Sequence, residues 1–185
     1  MRLFTAITVP DQIKQYAGTI RKEMENTCPD IKWVEEENYH LTLKFLGDVS
    51  PDVLEQLNDF LERAAVSSPS FKLRLRGMGF YPHRRRPRVI WIGMAGELEK
   101  ALFLGDRVDA YLGSLGFEVE KRRDYHLTMG RIRSERNVDD LVNTVLTREN
   151  EIQSSFFSVT EFYLMESQLT SSGPIYTIKR KFSLD

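Results

Sequence analysis

The spacing of apolar residues along the chain alternates between the period of a helix and the period of a strand. Helical spacing, which lets each helix bury one face, predicts helices at about 11–26, 51–65, 97–113 and 137–147. Short β-branched runs and two-residue alternation predict strands at about 2–9, 32–34, 39–46, 71–76, 88–94, 117–120, 125–132, 156–165 and 174–182. Because many predicted strands follow one another with no helix between them, we expect an α+β fold of mostly antiparallel sheets flanked by helices.

The composition indicates one folded domain. Hydrophobic residues make up 41% of the chain, which is enough for a core, and the 29% of charged residues include both signs. Glycine, proline and arginine cluster at 77–87 (GMGFYPHRRRP), which predicts a loop between two strands. No linker-like segment divides the 185 residues, so we expect a single domain over 1–185.

One short sequence motif occurs twice in the chain. Residues 39–43 read YHLTL and residues 125–129 read YHLTM, and the two copies contain two of the three histidines. The histidines are 126 − 40 = 86 positions apart, which is close to half the length of the chain. We therefore expect two pseudo-symmetric lobes, each with one copy on a strand, and a central active-site cleft between them.

Strand alternation divides each copy into two faces, because successive side chains point to opposite sides of a sheet. In the first copy, His40, Thr42 and Lys44 are expected on one face, and the apolar residues between and after them, Phe45 included, in the core. The second copy divides in the same way. Two imidazoles and two hydroxyls would then meet across the cleft.

Paired imidazoles are suited to breaking a phosphodiester bond. A neutral histidine takes a proton from the attacking oxygen while a protonated one gives a proton to the leaving oxygen, and an ordinary pKa of about 6.5 makes both forms available. His40 and His126 are the candidate catalytic residues, and the hydroxyls of Thr42 and Thr128 would donate to the phosphoryl oxygens. Because the two copies are nearly interchangeable, the residues alone leave open which histidine is the acid.

A metal centre is the competing interpretation of the repeated histidine. The two copies supply one strong ligand each, whereas a hydrolytic zinc site usually needs at least one more. No Asp or Glu occurs within either copy, so we expect no metal. The single cysteine, Cys28, excludes an internal disulfide and a cysteine metal cage.

The charge of the chain is balanced, so any contact with a nucleic acid would have to be local. The formal net charge is −1, which creates no global field to attract a polyanion. Residues 84–88 form a dense basic segment, here called the basic loop, which is a candidate surface for binding an RNA backbone. Its arginines are Arg84, Arg85, Arg86 and Arg88. Lys44 is a further candidate because alternation places it on the histidine face. A solvated surface without a partner is the alternative for all of these residues.

The apolar segments indicate no membrane partner. The run near the N-terminus is too short for a signal peptide, and no later run approaches the roughly 20 residues of a membrane-spanning helix. A single cysteine also fits a reducing compartment. We therefore expect a cytoplasmic location, and separately we expect a monomer.

The two copies and their flanks resemble the two-histidine phosphoesterase superfamily, whose strands carry paired H-[LIV]-T-[LIVM] motifs. Within it, the chain is similar to the RNA 2′,3′-cyclic phosphodiesterases of bacteria and archaea, historically called 2′-5′ RNA ligases. The resemblance extends over almost the whole chain. The segments that carry it are RLFTAITVP, WVEEENYHLTLKFLGDV, RRPRVIWIGM, YHLTMGRI and YLMESQLTSSGPIYTIKRKF.

The resemblance implies a bilobal fold and an enzyme that needs no metal and no organic cofactor. It implies hydrolysis of a terminal RNA 2′,3′-cyclic phosphate to a 2′-phosphomonoester, with RNA ends or small cyclic nucleotides as partners. His40 would donate a proton to the departing 3′ oxygen, and His126 would be the general base for water. Arg131 corresponds to the family's phosphate-binding arginine, although simple alternation places it opposite His126 unless the strand is bulged at Gly130.

Two other functions remain open at this point. The same site could join a 2′,3′-cyclic phosphate to a 5′-hydroxyl as a 2′-5′ linkage, because microscopic reversibility lets the hydroxyl replace water. The chain could also be a noncatalytic module that binds RNA ends or nucleotides. The presence of both histidines and both threonines argues against this last function.

Overall fold

The computed structural model describes residues 1–27, 30–171 and 173–185. Within these residues the α-helices are α1 (Asp11–Met24), α2 (Leu54–Val66), α3 (Leu98–Leu112) and α4 (Val138–Arg148). The strands are β1 (Arg2–Thr8), β2 (Ile31–Trp33), β3 (His40–Asp48), β4 (Phe71–Tyr81), β5 (Val89–Gly96), β6 (His126–Ile132), β7 (Phe157–Val159), β8 (Glu161–Leu169) and β9 (Pro174–Ser183). Cys28, on which the redox argument rests, lies outside the described residues.

The strands form two sheets, and each sheet contains one motif strand. The first sheet has the order β3-β1-β8-β9, with the first motif on its edge strand β3. The second has the order β2-β6-β5-β4-β7, with the second motif on β6 beside the edge strand β2. The strand pairings within both sheets are antiparallel, which confirms the predicted α+β class.

The chain passes repeatedly between the two sheets. β1 and β3 belong to the first sheet, whereas β2, which lies between them in sequence, belongs to the second. After β4 to β7 in the second sheet, the chain returns to the first as β8 and β9. Neither lobe is therefore one continuous half of the sequence, and each motif strand is held by strands from distant parts of the chain.

The helices join the two sheets in one continuous apolar core. α2 and α3 pack against each other and against β9 and β3 of the first sheet. α4 packs against β4 of the second sheet, and Arg148 on α4 forms a salt bridge at 3.2 Å with Glu23 on α1. The predicted helices are confirmed because each buries the apolar stripe that its spacing indicated.

The segment 117–120, predicted as a strand, has no regular secondary structure. Side chains bind its backbone instead of a neighbouring strand. The Glu120 N–H donates to Oδ2 of Asp109 at 2.9 Å, and the Lys44 ammonium donates to the Glu118 carbonyl. The apolar residues of this segment do not alternate into a core, since Val119 is 64% exposed, and its backbone hydrogen-bond partners come from outside a sheet.

The glycine-rich half of the predicted loop, residues 77–81, is part of β4 and pairs with β5 as far as Tyr81. Gly79 occurs in this strand because a large side chain occupies the space beside it. A Cβ atom at Gly79 would lie 2.4 Å from Cζ2 of Trp91. Glycine therefore marks a close approach here and not a turn.

The first motif strand contains a β-bulge that changes which side chains share a face. Its pairing with β1 shifts by one residue between Thr42 and Lys44, which leaves Leu43 as the extra residue. Lys44 is 3% exposed and its ammonium pairs with Asp109, so its predicted place on the histidine face, and with it RNA binding, is wrong. Phe45, predicted in the core, is 70% exposed.

Candidate active site

Each candidate catalytic histidine is the first residue of its motif strand. Nδ1 of His40 lies 2.7 Å from the Asn38 carbonyl oxygen, and Nδ1 of His126 lies 2.7 Å from the Asp124 carbonyl oxygen. A carbonyl oxygen can only accept a hydrogen bond, so Nδ1 carries a proton in both rings. Nε2 is therefore the nitrogen that gains or loses a proton in each histidine.

The imidazole of His40 packs against two aromatic rings of its own sheet, and these two rings also contact each other. The centroids of the Phe4 and Tyr176 rings are 5.1 and 5.2 Å from the centroid of the imidazole. Burial in this apolar setting lowers the pKa of His40, because the imidazolium would lose hydration, and the contact with the Asn38 carbonyl acts in the opposite direction. Burial also raises the pKa of the Tyr176 phenol, which is therefore neutral at neutral pH.

His126 has a corresponding setting in the second lobe. The ring centroids of Tyr81 and Trp91 are 5.0 and 6.2 Å from the centroid of its imidazole. The Tyr81 hydroxyl donates to the Asp124 carboxylate at 2.5 Å, and the carbonyl of the same Asp124 accepts from His126. Burial, together with this hydrogen bond, raises the pKa of Tyr81. These contacts position the segment immediately before the second motif.

Thr42 and Thr128 each follow a histidine by two positions and are half-buried. In the neighbouring strands, Ala6 lies opposite Thr42 and Trp91 lies opposite Thr128. Both threonines precede the bulges of their strands, so simple alternation applies to them. Each lobe therefore presents one imidazole and one hydroxyl on the same face.

The second motif strand contains a bulge at the same place as the first. Its pairing with β5 shifts by one residue between Thr128 and Gly130, which leaves Met129 as the extra residue. Met129 and Gly130 are both buried, and Arg131 is exposed. Arg131 therefore shares the face of Thr128 and His126. Without the bulge, simple alternation would have placed Arg131 on the opposite face.

Close packing of β2 explains why the second bulge contains a glycine. A Cβ atom at Gly130 would lie 2.8 Å from Cγ2 of Ile31 and 3.1 Å from Cε3 of Trp33. A larger residue would have to displace β2 or the bulge itself. The glycine thus allows the edge strand to approach the motif strand.

The two equivalent bulges present chemically different side chains. Phe45 follows its histidine by 45 − 40 = 5 positions, and Arg131 follows its histidine by 131 − 126 = 5 positions. The Phe45 ring is 6.2 Å from the Phe4 ring and otherwise largely exposed. One lobe therefore contributes an aromatic surface at this position, and the other contributes a cation.

Several contacts join the two lobes near the histidines. β3 and β6 contact each other across the boundary between the sheets, and Nη1 of Arg123 donates to the Leu43 carbonyl at 3.3 Å. The charge of Arg131 acts on Tyr176 and opposes the burial that raises the pKa of that phenol. The charge of Arg131 in the second lobe is thus close enough to affect Tyr176, whose ring contacts His40 in the first lobe.

The basic loop joins β4 to β5 and is exposed. Its arginines are Arg84, Arg85, Arg86 and Arg88. The loop follows Tyr81, which contacts the second histidine, so it lies at the end of the site formed by the second lobe. Nη2 of Arg88 is 4.0 Å from the Glu135 carboxylate, and solvent screens this exposed ion pair.

The sequence favoured the core for Phe4 and Trp91, with the cleft floor and base stacking as their alternatives, and a turn or packing role for Tyr176. It did not predict that these rings contact the histidines. Phe4 is indeed buried, but its ring contacts His40, and Trp91 is only partly buried beside His126. Phe45 did carry a signal, because it occupies the same position after its histidine as Arg131.

The donor groups of the site are imidazole, hydroxyl and guanidinium. Among residues 1–27, 30–171 and 173–185, no group of at least 3 His, Cys, Asp or Glu side chains is arranged to hold a metal ion. In the same described residues, no helix is long and apolar enough to cross a membrane.

The family model of the LigT-like phosphoesterases matches the chain in two segments, residues 7–91 and 93–176. Each segment contains one histidine motif. The family model therefore matches the chain twice, once around each copy of the repeated motif.

Relatives with names and solved structures align along most of the chain. A protein of Archaeoglobus fulgidus named RNA 2′,3′-cyclic phosphodiesterase is 37% identical over 185 residues, which cover 98% of this chain and 99% of the relative. One of the same name from Aeropyrum pernix is 35% identical over 158 residues, covering 85% and 88%. The structure of TT0787 from Thermus thermophilus aligns with a TM-score of 0.82 at 27% identity, covering 100% of this chain and 98% of that chain. Escherichia coli LigT complexed with 3′-AMP aligns with a TM-score of 0.77 at 26% identity, covering 99% and 97%.

The duplicated motif, the matched settings of the two histidines and these alignments agree with one another. The chain belongs to the LigT-like phosphoesterase family.

Proposed function

We propose that this protein hydrolyses the 2′,3′-cyclic phosphate at the end of an RNA to a 2′-phosphomonoester, without a metal ion. Relatives named RNA 2′,3′-cyclic phosphodiesterase, which align along the whole chain, support this substrate. The observation that carries the mechanism is the matched setting of His40 and His126. Each begins a motif strand, donates to a backbone carbonyl through Nδ1 and packs against a pair of aromatic rings.

In the proposed step, water attacks phosphorus while the bond between phosphorus and the 3′ oxygen breaks. Nε2 of His126 takes a proton from the water, and Nε2 of His40 gives its proton to the 3′ oxygen. The product has a 2′-phosphate and a 3′-hydroxyl, and exchange of protons with solvent restores both histidines. The direction, with His40 as donor, follows the family resemblance, because the two settings are alike.

The burial of His40 affects its role as a donor. Burial lowers the pKa of His40, which favours the neutral ring before substrate binds. The cyclic phosphate carries a negative charge, and an anion beside the ring favours the imidazolium. We therefore expect substrate binding to be linked to proton uptake by His40.

The remaining groups of the shared face would hold the substrate. The phosphoryl oxygens would be bound by Thr42, Thr128 and Arg131, whose hydroxyls and guanidinium supply hydrogen bonds and positive charge. The exposed ring of Phe45 offers a surface on which the terminal base can stack. The basic loop would contact phosphates further along the RNA. All of these groups belong to one chain, so one copy suffices for the proposed reaction, and we propose a single bilobal domain that acts as a monomer. The cytoplasm is its proposed location.

Product analysis on an RNA that ends in a 2′,3′-cyclic phosphate tests this function. We expect an RNA with a 2′-phosphate and a free 3′-hydroxyl, formed at the same rate with and without a chelator such as EDTA. A 3′-phosphate would mean that the other ester oxygen leaves, and inhibition by the chelator would contradict a metal-independent mechanism. Binding without turnover would instead identify a noncatalytic module. Adding an RNA with a 5′-hydroxyl measures joining in the same experiment.

Substitution of the histidines tests the mechanism. His40→Ala and His126→Ala should each lower kcat by about two to four decades, because each removes one proton transfer. The matched control is His83→Ala, since His83 is the third histidine and is exposed directly before the basic loop. Near-normal turnover in either motif variant would refute the paired-histidine mechanism.

A further inference from the structure

A buried cluster of charged side chains lies outside the groups that would contact substrate. Asp109 on α3 is 3% exposed, and its Oδ1 lies 2.6 Å from the ammonium of Lys44. Its Oδ2 accepts hydrogen bonds from Nη2 of Arg123 and from the Glu120 N–H. The side chains of Lys44 and Arg123 are 3% and 5% exposed. Buried charges are tolerated only when they are paired, and here one carboxylate pairs with two cations.

The two cations flank the two histidine motifs, one beside each. Lys44 lies in β3 directly after the bulge of the first motif, and Arg123 precedes His126 by 126 − 123 = 3 positions. Nη1 of Arg123 also donates to the carbonyl of Leu43, the extra residue of the bulge, at 3.3 Å. The guanidinium therefore connects the segment before the second histidine to the bulge after the first.

The distance between the two histidines depends on such contacts, because the motif strands belong to different sheets. No ladder of backbone hydrogen bonds between β3 and β6 fixes their relative position in the described part of the chain. Proton transfer on opposite sides of one phosphorus atom requires both imidazoles to be placed accurately. A displacement of a catalytic group by about 1 Å can lower the rate of the chemical step about 100-fold.

We propose that Arg123, anchored by Asp109, is a positioning residue that sets the relative placement of the two imidazoles. It does so by binding the bulge of β3 from the segment that leads into His126. This inference rests on the proposed function, because it concerns the geometry of that same site.

The charge arrangement allows Arg123 to be changed without isolating a buried ion. Asp109 keeps Lys44 as a partner when Arg123 is replaced, at 2.6 Å. The other carboxylate near Arg123 is Asp106, which lies 3.4 Å from Nε and is 76% exposed, so solvent replaces the lost contact. Arg123→Lys keeps the positive charge but loses the planar guanidinium, whose two terminal nitrogens bind the Leu43 carbonyl and Asp109 at the same time.

A double-mutant cycle on 2′,3′-cyclic AMP tests the positioning role. Arg123→Lys alone should lower kcat about 10- to 100-fold and change KM by less than about 3-fold. In the His40→Ala background, the same change should lower kcat by less than about 3-fold, because relative placement no longer matters when one imidazole is absent. The matched control is Asp106→Asn, which removes the exposed partner of the same guanidinium and should leave kcat unchanged.

The outcomes separate this proposal from the proposed function. An equal loss of kcat in the wild-type and His40→Ala backgrounds would mean that Arg123 affects the protein as a whole. A normal kcat for Arg123→Lys would mean that Arg123 does not position the imidazoles. Either result overturns the positioning role. A wild-type protein that leaves the cyclic phosphate intact overturns the proposed function itself. Urea unfolding checks each variant, and Arg123→Met replaces Arg123→Lys in the cycle if the lysine variant does not unfold cooperatively.

Discussion

Truncation of Phe45 tests whether the exposed ring of the first lobe binds the base of the substrate. Phe45 is 70% exposed, and its ring neighbour is Phe4, whose centroid lies 6.2 Å away. Complete burial of a phenylalanine contributes about 1.5–3 kcal/mol, so Phe45→Ala should lower the free energy of unfolding by less than about 1 kcal/mol. A base stacked on the free face contributes about 1–3 kcal/mol, so its loss should raise KM about 5- to 150-fold.

Steady-state kinetics on 2′,3′-cyclic AMP measure this effect. We expect kcat for Phe45→Ala to stay within about 3-fold of wild type, because a stacked base is bound equally in the ground state and in the transition state. Phe45→Tyr keeps the aromatic surface and should behave as wild type. The matched control is Phe156→Ala, since Phe156 is also exposed, at 53%, but packs against Arg74 outside the site.

A substrate without a base provides the sharpest comparison. With ribose 2′,3′-cyclic phosphate, wild type and Phe45→Ala should have the same KM, because nothing remains to stack. An unchanged KM for Phe45→Ala on 2′,3′-cyclic AMP would refute the stacking argument. So would an equal rise of KM on the substrate that lacks a base.

The remaining predictions concern stability. Because the pKa of His40 is lowered on folding, the unfolded chain binds more protons below its ordinary pKa of about 6.5, and the free energy of unfolding should fall as pH drops through that range. Urea unfolding at about pH 5 and about pH 7.5 should show a smaller loss for His40→Asn than for wild type, and equal losses would contradict the lowered pKa. Gly130→Ala should lower the free energy of unfolding by about 1–3 kcal/mol, because its Cβ would lie 2.8 Å from Cγ2 of Ile31. Gly113→Ala, where no atom lies within 4 Å of the added Cβ, should change it by less than about 0.5 kcal/mol, and similar effects at the two positions would refute the packing argument.

The parts of the site that could be predicted are those that depend on a few neighbouring residues. His40 and Thr42 share a face because side chains alternate along any strand, and the same holds for His126 and Thr128. Both pairs precede the bulges, so the period of two applies to them without correction. The helices were predictable for a similar reason, since their apolar stripes are visible in the sequence.

The residues after the bulges could be predicted in only one of the two copies. Gly130 gave a reason to expect a bulge in the second motif, which brings Arg131 to the histidine face. The first motif has Lys44 at the equivalent position, and a lysine in a strand carries no such signal. Its burial depends on Asp109, a residue 109 − 44 = 65 positions away on another element.

The two copies of the motif were sufficient to identify a pair of histidines and a pair of hydroxyls, and the spacing of apolar residues along the chain was sufficient to identify the class of fold, because alternation and helical spacing act over a few residues. The folded chain alone decided that Phe45 faces outward, that Lys44 is buried and that Tyr176 and Trp91 lie beside the imidazoles. These features depend on which distant side chains approach each strand, and above all on a buried carboxylate that gives two cations a partner. No local pattern contains that information, because the partners come together only when the interleaved sheets pack around one core.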